Sequence, residues 1–402
     1  PNPTRKSLVI RMNYITLIAQ KFLSGRKGPG KFTGIISMIG MAVGSFAMIV
    51  SLAVMNGFES RVSDRLRGFD GDIRILGKID SKIVEQIQSL NNVQSVMPFI
   101  ERKGIISSQD GQEVIVYKAM DLEKMHDVYD IYFEKELEAG SGIFVGKALA
   151  YRMGFSLGDP VELMSPLDMS FTLGLPPKIK KEITGTFQSQ VLDYDEQIVF
   201  IPIEIGQKLF KRIKGYTGID IRAKSGQDIE RLSKSISNVI GENFRVLTWK
   251  EQHSTLVQAM ALERFLAIII LSLIIVVAGF NLASTLSLVT IQKIHEIGIL
   301  QAIGTPKKAL RDILIRQGFI LGGKGTLFGI LAGIILVGIQ RKMGIIPLPS
   351  DIYFIDKLPM ELSLWNLLVI PIISFGIIYI ASFIASRKAS EIDPKTALTW
   401  NK

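Results

Sequence analysis

Four long apolar runs, at residues 33–57, 265–291, 317–339 and 364–384, limit what this chain can fold into. Each holds at least about 20 residues, the length at which a helix covers about 30 Å of hydrocarbon. Three contain no charged side chain, and 317–339 contains only Lys324. Four membrane-spanning helices are therefore predicted. The first run is too long for a signal peptide, sits behind some thirty residues and is followed by no small-residue cleavage site. It is expected to stay in place as an anchor.

Charge sets the expected orientation. Residues 1–32, 292–316 and 385–402 together carry sixteen Lys/Arg against four acids. Segment 58–264 carries 27 against 30, and 340–363 carries three of each. Basic residues flanking spans stay in the cytoplasm, which places both termini and the 292–316 loop inside and 58–264 outside. A net charge of +10 could suggest nucleic-acid binding. Topology accounts for it, and no nucleic-acid partner is expected. The chain has no cysteine, which excludes disulfides, thiol catalysis, thiolate metal sites and a lipidated cysteine of its own.

The expected layout is thus a cytoplasmic segment (1–32), span one (33–57), an outer domain (58–264) and span two (265–291). A cytoplasmic loop (292–316), span three (317–339), an outer loop (340–363), span four (364–384) and a cytoplasmic tail (385–402) follow. Within the first segment, Tyr14, Leu17, Ile18 and Leu23 recur at helical spacing among basic residues, the pattern of a helix lying on the membrane surface. Gly40 and Gly44 in span one form a small-residue pair that favours close helix contact. So do two four-residue series in span three, Gly318/Gly322 and Gly325/Gly329/Gly333.

The outer segment alternates between strand and helix patterns. "GDIRILG", "VQSVMPFIERKGIIS", "QEVIVYKAM", "GIDIRAK" and "NFRVLTW" read as strands, whereas "KIVEQIQSL" and "DIERLSKSISNVIG" read as helices. Two α/β units bracket a middle of mostly strand character. The fold class is an integral membrane helical protein with a large α+β domain between spans one and two.

Most chemical signals have plain explanations. Gly318, Gly323 and Lys324 match the spacing of a phosphate-binding loop, but Gly325 stands where Ser or Thr should hold magnesium, and no strand precedes it. His126, His253 and His295 are scattered without ligand spacing and read as single surface histidines, with no metal site. The acid-rich "DLEKMHDVYDIYFEKELE" lacks the spacing of a calcium loop and reads as a solvated face. Asn281 and Lys324 lie inside spans and are expected to find partners in the bundle or, for Lys324, to snorkel.

Two features call for a partner. In "HEIGILQAIGTPKKALRDILIRQG", Gly304 suits the end of one helix, while Thr305 can cap and Pro306 can start a second. Ile297, Leu300 and Ile303, with Glu296, offer a small apolar knob and a carboxylate. That surface suits a groove on another protein better than a membrane surface. The second feature is "LMSPLDMSFTLGLPPKIKKEITGTF", residues 163–187. Its ends read as paired strands, while Leu167, Met169, Phe171, Leu173 and Leu175 crowd a loop stiffened by prolines. The residues alone leave open an interaction surface or a loop folded back on its own domain.

The stretches "VMNGFESRVSDRLRGFDGDIRILG" (54–77), "FNLASTLSLVTIQKIHEIGILQAIG" (280–304) and "ASRKASEIDPKTAL" (385–398) resemble the lipoprotein-releasing permeases of the bacterial Lol system. These belong to a superfamily that includes macrolide-exporter and cell-division permeases, and the resemblance covers essentially the whole chain. It implies an inner-membrane permease of a mechanotransmission-type ABC transporter, without catalytic residues or a cofactor of its own. ATP and Mg would be bound by a separate cytoplasmic ATPase seated on Glu296, Ile297, Leu300, Ile303 and Gly304. A hook-like hairpin at 165–178, with Pro166, Leu167, Met169, Phe171, Leu175 and Pro176, would hold a soluble periplasmic lipoprotein carrier. Lipoprotein acyl chains would sit against Met48, Leu52, Met55, Phe265 and Ile268. A second permease copy, identical or a diverged sister, would complete the transporter. Two other readings keep the fold: an exporter of small amphiphiles or peptides with a periplasmic adaptor, and a signal relay to a cell-wall hydrolase.

Overall fold

The computed structural model describes residues 16–22, 29–108, 111–134, 142–168, 174–211, 213–241, 243–348 and 357–390. The chain divides into two compact units, Pro1–Glu59 with Ala259–Lys402, and Ser60–Gln258.

The first unit holds the apolar runs, carried by helices Pro29–Asp70, Ser254–Gln292, Lys307–Met343 and Leu364–Ser390. Each includes a stretch long and apolar enough to cross a membrane. Small residues set how closely they pack. A Cβ at Gly325 or Gly329 would overlap the main-chain oxygen of Met38 or Ala42 on the first helix, and one at Gly333 would press on Ile49. Gly318 and Gly322 instead face Ser382 and Ile378 on the fourth helix. The two glycine series therefore serve two different neighbours, each approaching too closely for a side chain between. Gly40 and Gly44 lie against Ala278 and Ile275 of the second helix. Between these contacts a core of Met41, Met48, Ile49, Leu52, Ile275, Leu282 and Ile378 is closed to solvent.

Polar pairing inside the bundle differs from the expectation for Asn281, whose side chain is exposed. The buried link between spans one and two is Ser37 Oγ with Thr285 Oγ1, 2.6 Å apart; Ser45 Oγ and Ser374 Oγ, at 3.4 Å, join spans one and four. Short hydroxyl side chains reach across at the close helix spacing, where a longer amide is turned outward. Lys324 is exposed as well.

In the second unit the two α/β patterns interleave. Strands β1 (Ile73–Ile79), β2 (Val93–Ser107), β9 (Tyr216–Ala223) and β10 (Arg245–Thr248) run in the order β10-β1-β9-β2. Helix Ser81–Gln88 connects β1 to β2 and helix Ile229–Ile240 connects β9 to β10, with Asp80 and Asp228 accepting the first free amides. Ile73, Ile75, Ile219, Ile221, Leu232 and Ile236 form the core of this half.

The middle of the segment builds β3 (Gln112–Met120), β4 (Tyr132–Phe133), β5 (Ile143–Gly146), β6 (Pro160–Met164), β7 (Lys178–Gln188) and β8 (Ile198–Pro202). Strand β2 is long enough to serve both halves. Val93–Phe99 pair with β9, and Ile100–Ser107 pair with β3. The order β2-β3-β8-β5-β7 returns to β2 through β6, which pairs with both β7 and β2. The ring is thereby closed, with β6 meeting β2 over Ile105–Ser107. Ile106, Ile115, Tyr117, Val145, Leu163 and Val199 are among its buried side chains.

Candidate functional site

The elbow between spans two and three is built from two helices and a hinge. The second long helix stops at Gln292, and a nine-residue helix, Ile294–Ala302, follows after Lys293. Gly304 has φ +95°, a value that disfavours any side chain, and turns the chain back. Pro306 then occupies the N-cap position of Lys307–Met343, which has no side-chain cap, so Thr305 does not play the capping role its sequence suggests. The following helix is not a separate short piece but continues unbroken into span three.

The apolar residues of the elbow divide between two faces. Ile297 is 3% exposed and packs with Leu310, Ile313 and Ala19, with Leu300 partly buried beside them. Ile303 is 78% exposed and Ile299 is also exposed. The exposed face of the elbow is therefore formed by Ile299, Ala302, Ile303 and Gly304, while Ile297 and Leu300 fasten the elbow to the helix of span three. Glu296 Oε1 receives Lys293 Nζ at 2.8 Å, one turn earlier. The N-terminal helix, described over 16–22, contributes Ile18, Ala19 and Phe22 to the same cluster, while Leu17 faces out. It thus braces the elbow. Tyr14 and Leu23 lie outside the described residues.

The residues predicted to meet acyl chains separate by exposure. Met48 and Leu52 are sealed in the bundle core, Met55 is partly buried, and Ile268 packs against that core. Phe265 is 60% exposed. The Met55-Asn56-Gly57-Phe58 stretch gains a physical reason here. Gly57 lies under the main chain of Pro359 and Met360, which a Cβ would overlap. Gly318, Gly323 and Lys324 lie in an unbroken helix, where no phosphate-binding loop can form.

In the second unit, β6 and β7 form a hairpin whose last strand pair is Met164 with Lys178. Pro166–Asp168 make a single 3-10 turn. Leu167 and Leu175 are 51% and 69% exposed, with Pro166 and Pro176 partly buried; Met169 and Phe171 lie outside the described residues. Asp168 is buried at the base and accepts Arg102 Nε (3.1 Å) and Ser165 Oγ (2.8 Å). Ser165 N donates to Pro177 O at 3.2 Å, closing the root of the arm. Leu167 and Leu175 are thus not folded into the domain core.

A buried ionic hub escaped the sequence reading. Asp220 of β9, fully buried, accepts Arg74 through Nε and Nη2, Lys118 Nζ at 2.8 Å and Tyr129 OH at 2.7 Å. Asp70 accepts Arg74 Nη2 (2.7 Å), Tyr194 OH (2.6 Å) and His253 Nε2 (2.8 Å). Lys118 Nζ also lies 4.7–5.2 Å from the ring centres of Tyr129, Phe99 and Phe69. Burial works against the charge of Arg74, but Asp220 and Asp70 outweigh it and hold its pKa well above the ordinary value. Burial, then Asp220, pushes the Tyr129 hydroxyl up; burial, then Asp70, does the same to Tyr194. His253 is therefore a hub member and not the single surface histidine expected. His126 packs edge-on against Phe133, and His295 is exposed on the elbow. Val128, Tyr129 and Ile131 of the acid-rich run are buried in a domain core.

Comparison with known proteins places this architecture. The MacB-like periplasmic core domain matches residues 35–239, about half of the chain. The chain belongs to that family. The FtsX-like permease C-terminal region matches residues 268–394 and covers spans two to four. The lipoprotein-releasing system transmembrane protein LolC of Neisseria meningitidis serogroup B is 26% identical, over 95% of this chain and 98% of its own length. LolE of Haemophilus influenzae is 24% identical, over 90% and 93%. Among solved structures, the periplasmic region of MacB from Actinobacillus actinomycetemcomitans is similar at 10% identity, with a TM-score of 0.34, covering 49% of this chain and 97% of that one. The family is one of ABC-transporter permeases, multi-pass transport subunits, and the resemblance to lipoprotein-releasing permeases read from the motifs is borne out.

Proposed function

We propose that this chain is the permease of an ATP-driven machine that extracts lipoproteins from the bacterial inner membrane and hands them to a soluble periplasmic carrier. Both termini and the elbow face the cytoplasm, as the basic residues flanking the spans require. A separate ABC ATPase binds the ATP and Mg, and this chain supplies no cofactor and no catalytic group. A second permease copy, identical or a sister, completes the path.

The observation that carries this reading is the elbow. One face of helix Ile294–Ala302 is fastened to the start of span three, while Ile299 and Ile303 stand exposed on the other. Force applied to that tip moves span three directly, because the helix Lys307–Met343 is unbroken. The work is needed because baring acyl chains to water costs about 0.8 kcal/mol for each CH₂. Three chains would cost on the order of tens of kcal/mol on the same scale. The exposed Leu167 and Leu175 supply an apolar foothold for the carrier.

Replacing both Leu167 and Leu175 with aspartate, or deleting residues 166–177, is expected to abolish capture of the carrier while the ATPase still co-purifies. Full recovery of the carrier by either variant would refute the assignment of the arm.

A further inference from the structure

The interspan ends of spans one and two are tied together at one point. Arg264 Nη2 donates to Asn56 Oδ1 at 2.9 Å and pairs with the carboxylate of Glu59. Asn56 uses its other side-chain atom on the far loop, where Nδ2 donates to Glu361 O at 3.2 Å. Glu361 N returns a bond to Ala53 O at 2.8 Å. Gly57 lets Pro359 and Met360 lie flat on the first helix, and Met360 joins the core that seals Met48 and Leu52.

We propose that Asn56, Glu59 and Arg264 form a latch that holds the interspan ends of the first two spans together and keeps the apolar crevice between them shut. This inference rests on the proposed function only for the identity of what enters, an acyl chain. Three observations support it. First, Met48 and Leu52 have no surface for a ligand in this arrangement, so any use of them requires the helices to part. Second, the ion pair is partly open to solvent, its side chains being 36% and 38% exposed. Such a pair is weak enough to break and re-form during a cycle. Third, Asn56 cannot be replaced by a purely anionic or cationic side chain, because it must donate to a carbonyl and accept from a guanidinium at once. The latch is thereby wired to the loop before span four as well as to span two.

The test uses the full chain with its ATPase in nanodiscs. The native sequence has no cysteine, so spin labels can be placed at the exposed Ser51 and Leu262 through introduced cysteines alone. Arg264→Gln and Glu59→Arg are each expected to raise the wide-separation population about threefold, the factor a partly exposed ion pair supplies. The paired reversal Glu59→Arg with Arg264→Glu is expected to return part of it, the ion pair being restored while the Arg264 bond to Asn56 Oδ1 stays lost. A distance distribution identical in native and single-variant chains would overturn the latch. So would a paired reversal no closer to native than either single change. Binding of a triacylated lipopeptide is measured on the same samples. Helices that part without any gain in lipopeptide binding would support the latch and contradict the acyl cargo, which separates the two ideas.

Discussion

Replacing Asp220 with alanine is expected to cost the interspan domain about 3–5 kcal/mol, because it leaves the buried Lys118 without a carboxylate and takes one of two carboxylates from Arg74. Arg74 would keep Asp70, but Lys118 would lose the one carboxylate it pairs with among the described residues. For a domain near this size the loss corresponds to a fall in melting midpoint on the order of 10 °C. Lys118→Met is the informative companion. It removes a charge while leaving Asp220 with Arg74 and Tyr129, and its thioether can settle against Phe69, Phe99 and Tyr129. Its midpoint should fall far less than that of Asp220→Ala. Thermal unfolding of the purified chain, followed by protease resistance of residues 60–258, checks both. Equal midpoints for native and Asp220→Ala would show that the hub is not a stabilising centre.

The second large effect is expected at the elbow. Ile303→Asp puts a charge at its most exposed apolar position without touching the packing of Ile297, Leu310 and Ile313. If Ile303 fills an apolar groove on the ATPase, burying an unpaired carboxylate there should weaken association by at least about tenfold. Ile297→Asp should do worse for a different reason, since it unseats the helix that carries the tip. Glu296→Lys should uncouple ATP turnover from release, because it repels Lys293, its partner one turn away. Titration of the ATPase against the detergent-purified variants checks the two isoleucine changes, and ATP hydrolysed per lipoprotein released from vesicles checks Glu296→Lys. Native affinity for the Ile303→Asp chain would place the docking surface elsewhere.

Much of the architecture was legible because lipid imposes strict composition. Runs without charge have few alternatives, and both glycine series could be read directly, although not which helix each would meet. Strand periodicity also served well in the interspan domain, where β2 spans the same residues as the pattern that suggested it. The interleaving of the two α/β units could not be read, because pairing between β1 and β9 joins residues nearly 150 apart and local pattern carries no register.

The hub was missed for a related reason. Arg74, Lys118 and Asp220 each stand within an apolar strand, where a charged residue normally marks the solvent face. Only the register, with Arg74 directly opposite Asp220, shows that the charges neutralise one another inside. A mid-strand acid and base of opposite sign in two otherwise apolar strands was the available signal. At the elbow, spacing grouped Ile297, Leu300 and Ile303 together. Ile303 lies at the C-cap of helix Ile294–Ala302, beyond its last full turn, so its side chain leaves the face that Ile297 shares with span three. Asn56 and Gly57 served as a family mark, but their roles depend on a loop some 300 residues away.

In the proposed function, force entering at the elbow is spent on lifting acylated cargo out of the bilayer. Vesicles reconstituted with this chain, its ATPase and a triacylated lipoprotein test it most directly, with soluble carrier outside and transfer counted per ATP hydrolysed. Transfer is expected to require ATP, the carrier and an intact Ile303, and to stop when any one is removed. Steady ATP hydrolysis with all cargo still in the vesicles, or equal transfer without ATP, would contradict it.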